Sequence, residues 1–398
     1  MMRRRVFVRG VGAVTPLGAT WDETARALAE GRSSVKPVEG FDVRGFPCTV
    51  ASALPRRDHE ETDRRMDIGL RAAREAWRAS GLEKGARRIG VFLGAESGRP
   101  SFSAFVGMAK AAGAADGFSR ERFSLDARTL AFRGAAASPA AVASALAREF
   151  GATGSVMTVS LACASSAAAI IEAVRAIRLG ACDVALCGGV GADVDQFMLA
   201  GFGLLGALSA RGVSCPFDVR RDGFVLGEGA AMAVLDCDPK GALAEVLGVG
   251  RTLDAHHLTA PEPSGEGAAR SMRLALDEAR LKSVDYVQAH GTSTPLNDAV
   301  EAKALRDVFG KKLDQALVSS SKGALGHTIA ASGAIGLLCA IEAITHGTVF
   351  PTAGLREPDR DCALPHVLGK AVQRKVETAL VNAFAFGGAN CCLAVGRA

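Results

Sequence analysis

The sequence predicts an α/β fold made of two duplicated halves, each a mainly parallel sheet with helices on both faces. Three observations predict it. Short apolar, β-branched runs alternate with small-residue segments of helical period. The order strand, tight corner, small-residue helix, strand, glycines occurs in "GSVMTVSLACASSAAAIIEAVRAIRLGACDVALCGGVGA" and again in "QALVSSSKGALGHTIAASGAIGLLCAIEAITHG" followed by "TALVNAFAFGGAN". The strands themselves are near-continuously apolar, the pattern of strands covered on both faces. A chain of 398 residues, 48% hydrophobic and 22% charged, has the material for so large a core.

From the N-terminus, "MMRRRVFVRGVGAV" begins like the charged region of an export signal, but Arg9 breaks the apolar run, which continues into strand and turn residues. The same segment is not a dinucleotide fingerprint, because Thr15 stands where the third glycine belongs and no helix opens before the proline turn. The stretch from about 98 to 140 is the least regular and reads as an insertion with helical pieces, a cap or a subunit contact. Cys163 follows "VMTVSL" and precedes "ASSAAAIIEAVRAI", which puts a thiol at a strand-to-helix corner near a helix N-terminus. First-turn amides and the helix dipole there favour a thiolate and can bind an oxyanion. A buried structural cysteine among small residues is the equal alternative on these residues alone.

The boundary between the halves is expected near Pro239 and Lys240, giving units 1–240 and 241–398. In the second unit "VQAHGTSTPLNDAVEAKAL" places His290 just after a strand, facing a cleft, with Glu301 early in the following helix. Thr292, Ser293 and Thr294 offer hydroxyls to a ligand or cap that helix. In "SSSKGALGHTIAASGAIG", Lys322 and His327 fall between strand and helix of the second copy, so the pseudo-symmetry brings them to the crevice of Cys163, with Glu301 as counter-charge to Lys322. In "NAFAFGGAN", Phe384 and Phe386 precede glycines that permit close backbone approach.

Composition bounds the rest. A net charge of +5, scattered along the chain, does not suggest nucleic acid. The apolar window 331–341 ends at Glu342, short of a bilayer span. Ten cysteines without a CxxC pair point to a reducing compartment, and Cys187 and Cys339 to core packing. The expectation is a soluble, cytoplasmic protein with no nucleotide, metal or membrane.

The motifs "ACASS", "AHGTSTP..D..E", "SSSKGALGHT...SGA.G", "CPFDVRRDGFVLGEGAA" and "NAFAFGGAN", in this order, resemble the beta-ketoacyl-acyl-carrier-protein synthases of the elongating Cys-His-His type, the 3-oxoacyl-ACP synthase II-like branch. "RVFVRGVGAVTPLG" and "DRRMDIGLRAAREA" extend the resemblance over essentially the whole chain. It implies a thiolase-type fold, an αβαβα body of five layers, working as a homodimer or as a heterodimer with a related ketosynthase subunit. It implies decarboxylative Claisen condensation of an acyl chain with malonyl-ACP, the acyl carrier protein as partner, and no cofactor beyond the phosphopantetheine that the carrier brings.

By the same resemblance Cys163 is the nucleophile, His290 and His327 assist decarboxylation, and Lys322 paired with Glu301 supports the histidine loop. Phe386 gates the acyl pocket and shares an oxyanion hole with the Cys163 amide. Thr292 and Thr294 bind the pantetheine arm, and Phe202 and Phe384 join the substrate site. Ala385 and Ala389 stand where the family commonly has glycine and threonine. Asn297 stands where the fatty-acid members often carry glycine, and Leu161 stands where the common motif begins with threonine. The alternatives are a non-catalytic chain-length-factor-like subunit, which typically loses the cysteine, a thiolase, which has its second cysteine in a C-x-G setting, and the Cys-His-Asn initiating branch, which lacks the lysine-histidine loop.

Overall fold

The computed structural model describes residues 4–55, 63–83, 87–96, 98, 102–114, 117–126 and 138–398. The first half contributes core strands β1 (Phe7–Val14), β2 (Ile89–Ala95), β3 (Val156–Val159), β4 (Val184–Ala192) and β5 (Glu228–Asp236). The second contributes β6 (Ala244–Leu253), β7 (Tyr286–Gln288), β8 (Leu317–Ser319), β9 (Thr378–Phe384) and β10 (Ala389–Gly396). Their spatial order is β8-β7-β9-β10-β6-β1-β5-β4-β2-β3, so each half repeats the other's arrangement about the β6–β1 seam. That seam is short, with Phe7 opposite Glu245 and Val8 opposite Ala244.

Within each half the sheet is mixed, which corrects the mainly parallel expectation. β2 runs parallel to β3 and β4, as β7 does to β8 and β9, but β5 and β1, like β10 and β6, are antiparallel to their neighbours. Connection length is the cause in the second half: β9 returns into β10 through a tight turn at 385–388, and such a turn joins only antiparallel strands.

Helices α6 (Ser165–Arg178) and α11 (Ser332–His346) lie between the two sheets, and their side chains dominate the central apolar cluster. Helices α2 (Arg64–Ser80) and α5 (Ala140–Phe150) cover the outer face of the first sheet, and α8 (Glu266–Ala279) and α9 (Pro295–Phe309) that of the second. The result is the αβαβα layering. Small residues make the middle layer possible: a Cβ on Gly333 of α11 would come within 2.8 Å of the Ala167 Cβ of α6. A larger side chain would force the central helices apart.

The stretch Ile329–His346 is apolar and long enough to cross a membrane, but 83% of it is buried inside the fold, where α11 serves as a core helix. Of the irregular 98–140 stretch, helices α3 (Phe102–Ala112) and α4 (Arg120–Asp126) are described, and residues 99–101, 115–116 and 127–137 lie outside the described residues. Cys187 and Cys339 are buried and free, as core packing requires.

Candidate active site

Two equivalent corners face each other across the middle layer. In the first, the chain leaves β3, takes Ala162 into the left-handed region at φ 45°, and passes through a 3-10 turn over Ala162–Ala164 into α6. In the second, Ile329 takes the same φ of 45° before a turn over Ile329–Ala331 that leads into α11. A serine opens each helix and fastens its corner: Ser165 Oγ accepts from Leu161 N at 2.8 Å, and Ser332 Oγ donates to Ile329 O at 2.9 Å. Behind the first corner, the Glu96 carboxylate accepts from Ser160 Oγ at 2.7 Å and from Ser165 Oγ at 3.1 Å.

The first corner carries Cys163, which is only 6% exposed. Burial pushes its thiol up to about 12, and the Glu96 charge adds to that, while Lys322 and the backbone amides of Cys163 and Phe386 pull it back. The expected thiolate is therefore not the resting form: withdrawal from water outweighs the donors at the corner. Those two amides nonetheless reach the sulfur together, from α6's entry on one side and the loop after β9 on the other.

The second half supplies two imidazoles. His290 follows β7, and its ring lies 5.6 Å from the ring of His327, at 80° to it. Burial, with the nearby Lys322 charge, holds both well below the usual histidine value, so both rings are neutral. His327 Nδ1 accepts from Ile329 N at 3.3 Å and lies 3.0 Å from Ser332 Oγ. His290 Nδ1 faces Lys322 Nζ at 3.4 Å. A neutral ring whose Nδ1 accepts carries its proton on Nε2. Both histidines thus hold an Nε2–H donor, with Nδ1 tied to the scaffold.

The Lys322–Glu301 pair takes a different form from the one expected. Lys322 Nζ donates to His290 O, while Glu301 is occupied by His290 N at 2.8 Å, Gly291 N at 2.7 Å and Asn382 Nδ2 at 2.9 Å. Both groups therefore clamp the His290 loop, the lysine through its carbonyl and the carboxylate through its amides. Burial lowers Lys322 to about 8, and the Glu301 charge opposes that from a distance. Gly291, at φ 37°, is required here, because a Cβ would strike the Phe217 ring and Ser320 Cβ at 2.8 Å.

Cys163, His290, His327, Thr292, Thr294, Phe384 and Phe386 line one cavity of about 330 Å³. Phe384 packs on His290 with ring centroids 5.6 Å apart. Thr292 and Thr294 share a hydroxyl contact of 2.9 Å at the wall rather than capping α9, and Asp298 instead accepts from the amides of Thr292 and Ser293. Phe202 does not line this cavity. It stands behind Phe386, 6.2 Å away, and packs edge-on to Phe224.

Asn390 also lines the cavity, and sequence reasoning assigned it no role although it closes the quoted "GGAN". Its amide donates to Asp254 Oδ1 at 2.6 Å, and Asp254 N donates to Gly388 O at 2.8 Å, so the Phe386 loop is tied to the strand end opposite. Ser332, Glu96 and Asp254 were also missed. Asp298 is visible in the spacing "AHGTSTP..D..E" and Ser332 in "SSSKGALGHT...SGA.G", but Glu96 and Asp254 have no local motif.

Comparison with known proteins agrees along the whole chain. Residues 3–239 match the family described as Beta-ketoacyl synthase, N-terminal domain, and residues 243–356 its C-terminal domain. The chain is 33% identical over 438 residues to a 3-oxoacyl-[acyl-carrier-protein] synthase 2 of Coxiella burnetii, covering 100% of this chain and 99% of that protein. It is 37% identical over 412 residues to Nodulation protein E of Rhizobium meliloti, covering 99% of each. Among solved structures, a chain of the ishigamide ketosynthase/chain length factor superposes with a TM-score of 0.87 at 32% identity, covering 100% of both.

Proposed function

The chain belongs to the beta-ketoacyl synthase family, and from that premise we propose that it joins a carrier-bound acyl chain to a malonyl unit with loss of carbon dioxide, in fatty acid or polyketide synthesis. One observation carries the reading: a sulfur flanked by two amide donors shares a cavity with two neutral imidazoles that each hold an Nε2–H.

Cys163 Sγ attacks the thioester carbonyl of the incoming acyl carrier. The new S–C bond forms as the carrier's thiolate leaves with the proton that the cysteine gives up. The amides of Cys163 and Phe386 hold the oxyanion between those steps. When the malonyl thioester follows, its bond to the carboxylate breaks, carbon dioxide departs, and the electron pair moves into an enolate. The enolate oxygen accepts from His290 and His327. The enolate carbon attacks the acyl-enzyme carbonyl, and Cys163 leaves as a thiolate that takes one proton from solvent. Neutral rings suit this work, because they donate without a competing charge that would trap the malonyl carboxylate.

Thr292 and Thr294, on the cavity wall, bind the pantetheine arm, and Phe386 with Phe202 behind it gates the acyl side. The protein needs no cofactor of its own. Ten free cysteines support a cytoplasmic, reducing setting. A second ketosynthase-type subunit is supported by the open edge of β3, where Val156 and Met157 are exposed.

The test is to incubate the protein with acyl carrier proteins bearing chains of graded length, weigh the Cys163 adduct, then add malonyl-ACP and identify the 3-oxoacyl product. Absence of any adduct overturns the reading and favours a non-catalytic partner subunit.

A further inference from the structure

The two facing corners correspond residue by residue. Ala162 and Ile329 hold the same left-handed φ of 45°, so Ser165 answers Ser332, three positions on, and Ser160 answers His327, two positions back. In the second corner the outer pair meets directly, His327 Nδ1 lying 3.0 Å from Ser332 Oγ. The first corner has no imidazole to span that gap, and a serine side chain is too short. A carboxylate fills it: Glu96 Oε2 accepts from Ser160 Oγ at 2.7 Å, and Glu96 Oε1 lies 3.1 Å from Ser165 Oγ.

Glu96 is itself anchored on its far side. It follows β2 directly, and its carbonyl accepts from the guanidinium of Arg65 in α2, which Asp63 holds through Nε at 3.0 Å. Arg65 is buried, so the strand end has little freedom to carry the carboxylate away. Ser165 Oγ is engaged from three sides: Leu161 N donates to it at 2.8 Å, and its one proton is shared between Ala162 O at 2.7 Å and Glu96. These bonds bracket Cys163, which sits between Ala162 and Ala164 in the turn they close.

Resting on the condensation reading above, we propose that Glu96 is a positioning residue for the nucleophile, its carboxylate splinting Ser160 to Ser165 across the Cys163 turn. The splint brings a charge with it. The sulfur faces Lys322, His290 and His327 from the second half and Glu96 from the first, with Asp222 and Asp254 also lining the cavity. Burial is the main cause that keeps the thiol protonated; the Lys322 charge opposes it, and the Glu96 charge reinforces it. Position and charge can therefore be separated by substitution. Glu96→Gln keeps both contacts, as acceptor to one serine and donor to the other, and removes the charge. Ser160→Ala keeps the charge and opens the splint.

The experiment follows iodoacetamide alkylation of Cys163 against pH, and single-turnover acyl-enzyme formation from acyl-ACP, both read by mass, in the unmodified protein and the two variants. In Glu96→Gln, alkylation at about pH 7.5 should be about threefold faster, its rise displaced to lower pH, with acyl-enzyme formation not slowed. In Ser160→Ala, alkylation should keep the pH profile of the unmodified protein, while acyl-enzyme formation falls about fivefold. Hydrogen exchange of the Leu161 amide, which donates to Ser165 Oγ, should quicken by a similar factor in that variant. Acyl-enzyme formation at the unmodified rate in Ser160→Ala overturns the proposal, as does an equal fall in both variants, which would mark a general loss of packing. An alkylation profile unmoved in Glu96→Gln also overturns it, because the carboxylate would then not face the sulfur. If the unmodified protein takes no acyl group from any carrier, the condensation reading fails on its own; unaltered Leu161 exchange in Ser160→Ala then overturns the splint, and faster exchange upholds it.

Discussion

Replacing Gly94 by alanine tests whether the position of the nucleophile corner is set by backbone contact between β2 and α6. A Cβ at Gly94 would lie 2.3 Å from Ser166 N, 2.5 Å from Ser165 C and 2.6 Å from Ser166 Cα. All three are main-chain atoms of the first turn of α6, so no side chain can swing aside. Ordinary contact begins near ~3.5 Å, so the turn must retreat by about 1 Å. Overpacking of this kind costs about 3 kcal/mol of stability. The Cys163 amide belongs to the 3-10 turn Ala162–Ala164 that leads directly into it, and a displacement of about 1 Å at a reacting group lowers its rate about a hundredfold.

Urea unfolding reads the first quantity, and single-turnover formation of the acyl-enzyme, followed by mass, reads the second. Gly107→Ala is the control: nothing lies within 4 Å of a Cβ there, and the exchange in a helix should add about 0.5–1 kcal/mol with loading untouched. If Gly94→Ala unfolds within about 0.5 kcal/mol of the unmodified protein and loads as fast, contact between β2 and α6 does not position the sulfur.

Other predictions follow from the state of the site. Because both imidazoles are held well below the usual histidine value, they stay neutral as the pH falls from 7.5 to 6. Malonyl decarboxylation should be flat over that range, and a half-loss centred near the ordinary histidine pKa of about 6.5 refutes the neutral pair. Ser332→Ala removes the 3.0 Å contact to His327 Nδ1, so decarboxylation should fall about fivefold, the equivalent of about 1 kcal/mol, while acyl loading of Cys163 is unchanged. A variant equally slowed in both steps shows a general structural defect instead. With its thiol pushed up to about 12, Cys163 should react with iodoacetamide more slowly than exposed Cys237 at pH 7.5. Its rate should climb about tenfold per pH unit through pH 10. A fast reaction that is level below pH 8 would mean that the sulfur is ionised at rest.

The nucleophile corner is legible in the sequence because its causes are local. A strand ending, a run of small residues and a helix start are enough to place a thiol beside first-turn amides, and the family motifs mark the same residue. His290 and the Phe386 loop are legible for the same reason, as each follows directly on a strand, whereas His327 lies beyond a short helix (Lys322–Leu325) after β8 and is marked by its motif. The antiparallel half of each sheet was not legible, since apart from the tight β9–β10 turn its pairing direction depends on where the chain returns after an intervening segment. Phe202 shows a related limit: matched as a pocket residue, it proves to stand one ring behind Phe386.

Residue order along this chain determined the two duplicated α/β halves, because period, corner chemistry and small-residue packing are written within a few positions of one another, while the αβαβα layering and the roles of the groups at its centre were legible only through the family resemblance. Tertiary structure alone decided what those groups are chemically. The thiol is protonated because the assembled core shuts it from water, and each imidazole holds its proton on Nε2 because a partner met only on folding occupies Nδ1. Glu301 grips the His290 loop rather than Lys322 itself, since two backbone amides reach it first. Protonation, tautomer and partner all depend on dielectric and on contacts between distant segments, and neither is present in an unfolded chain.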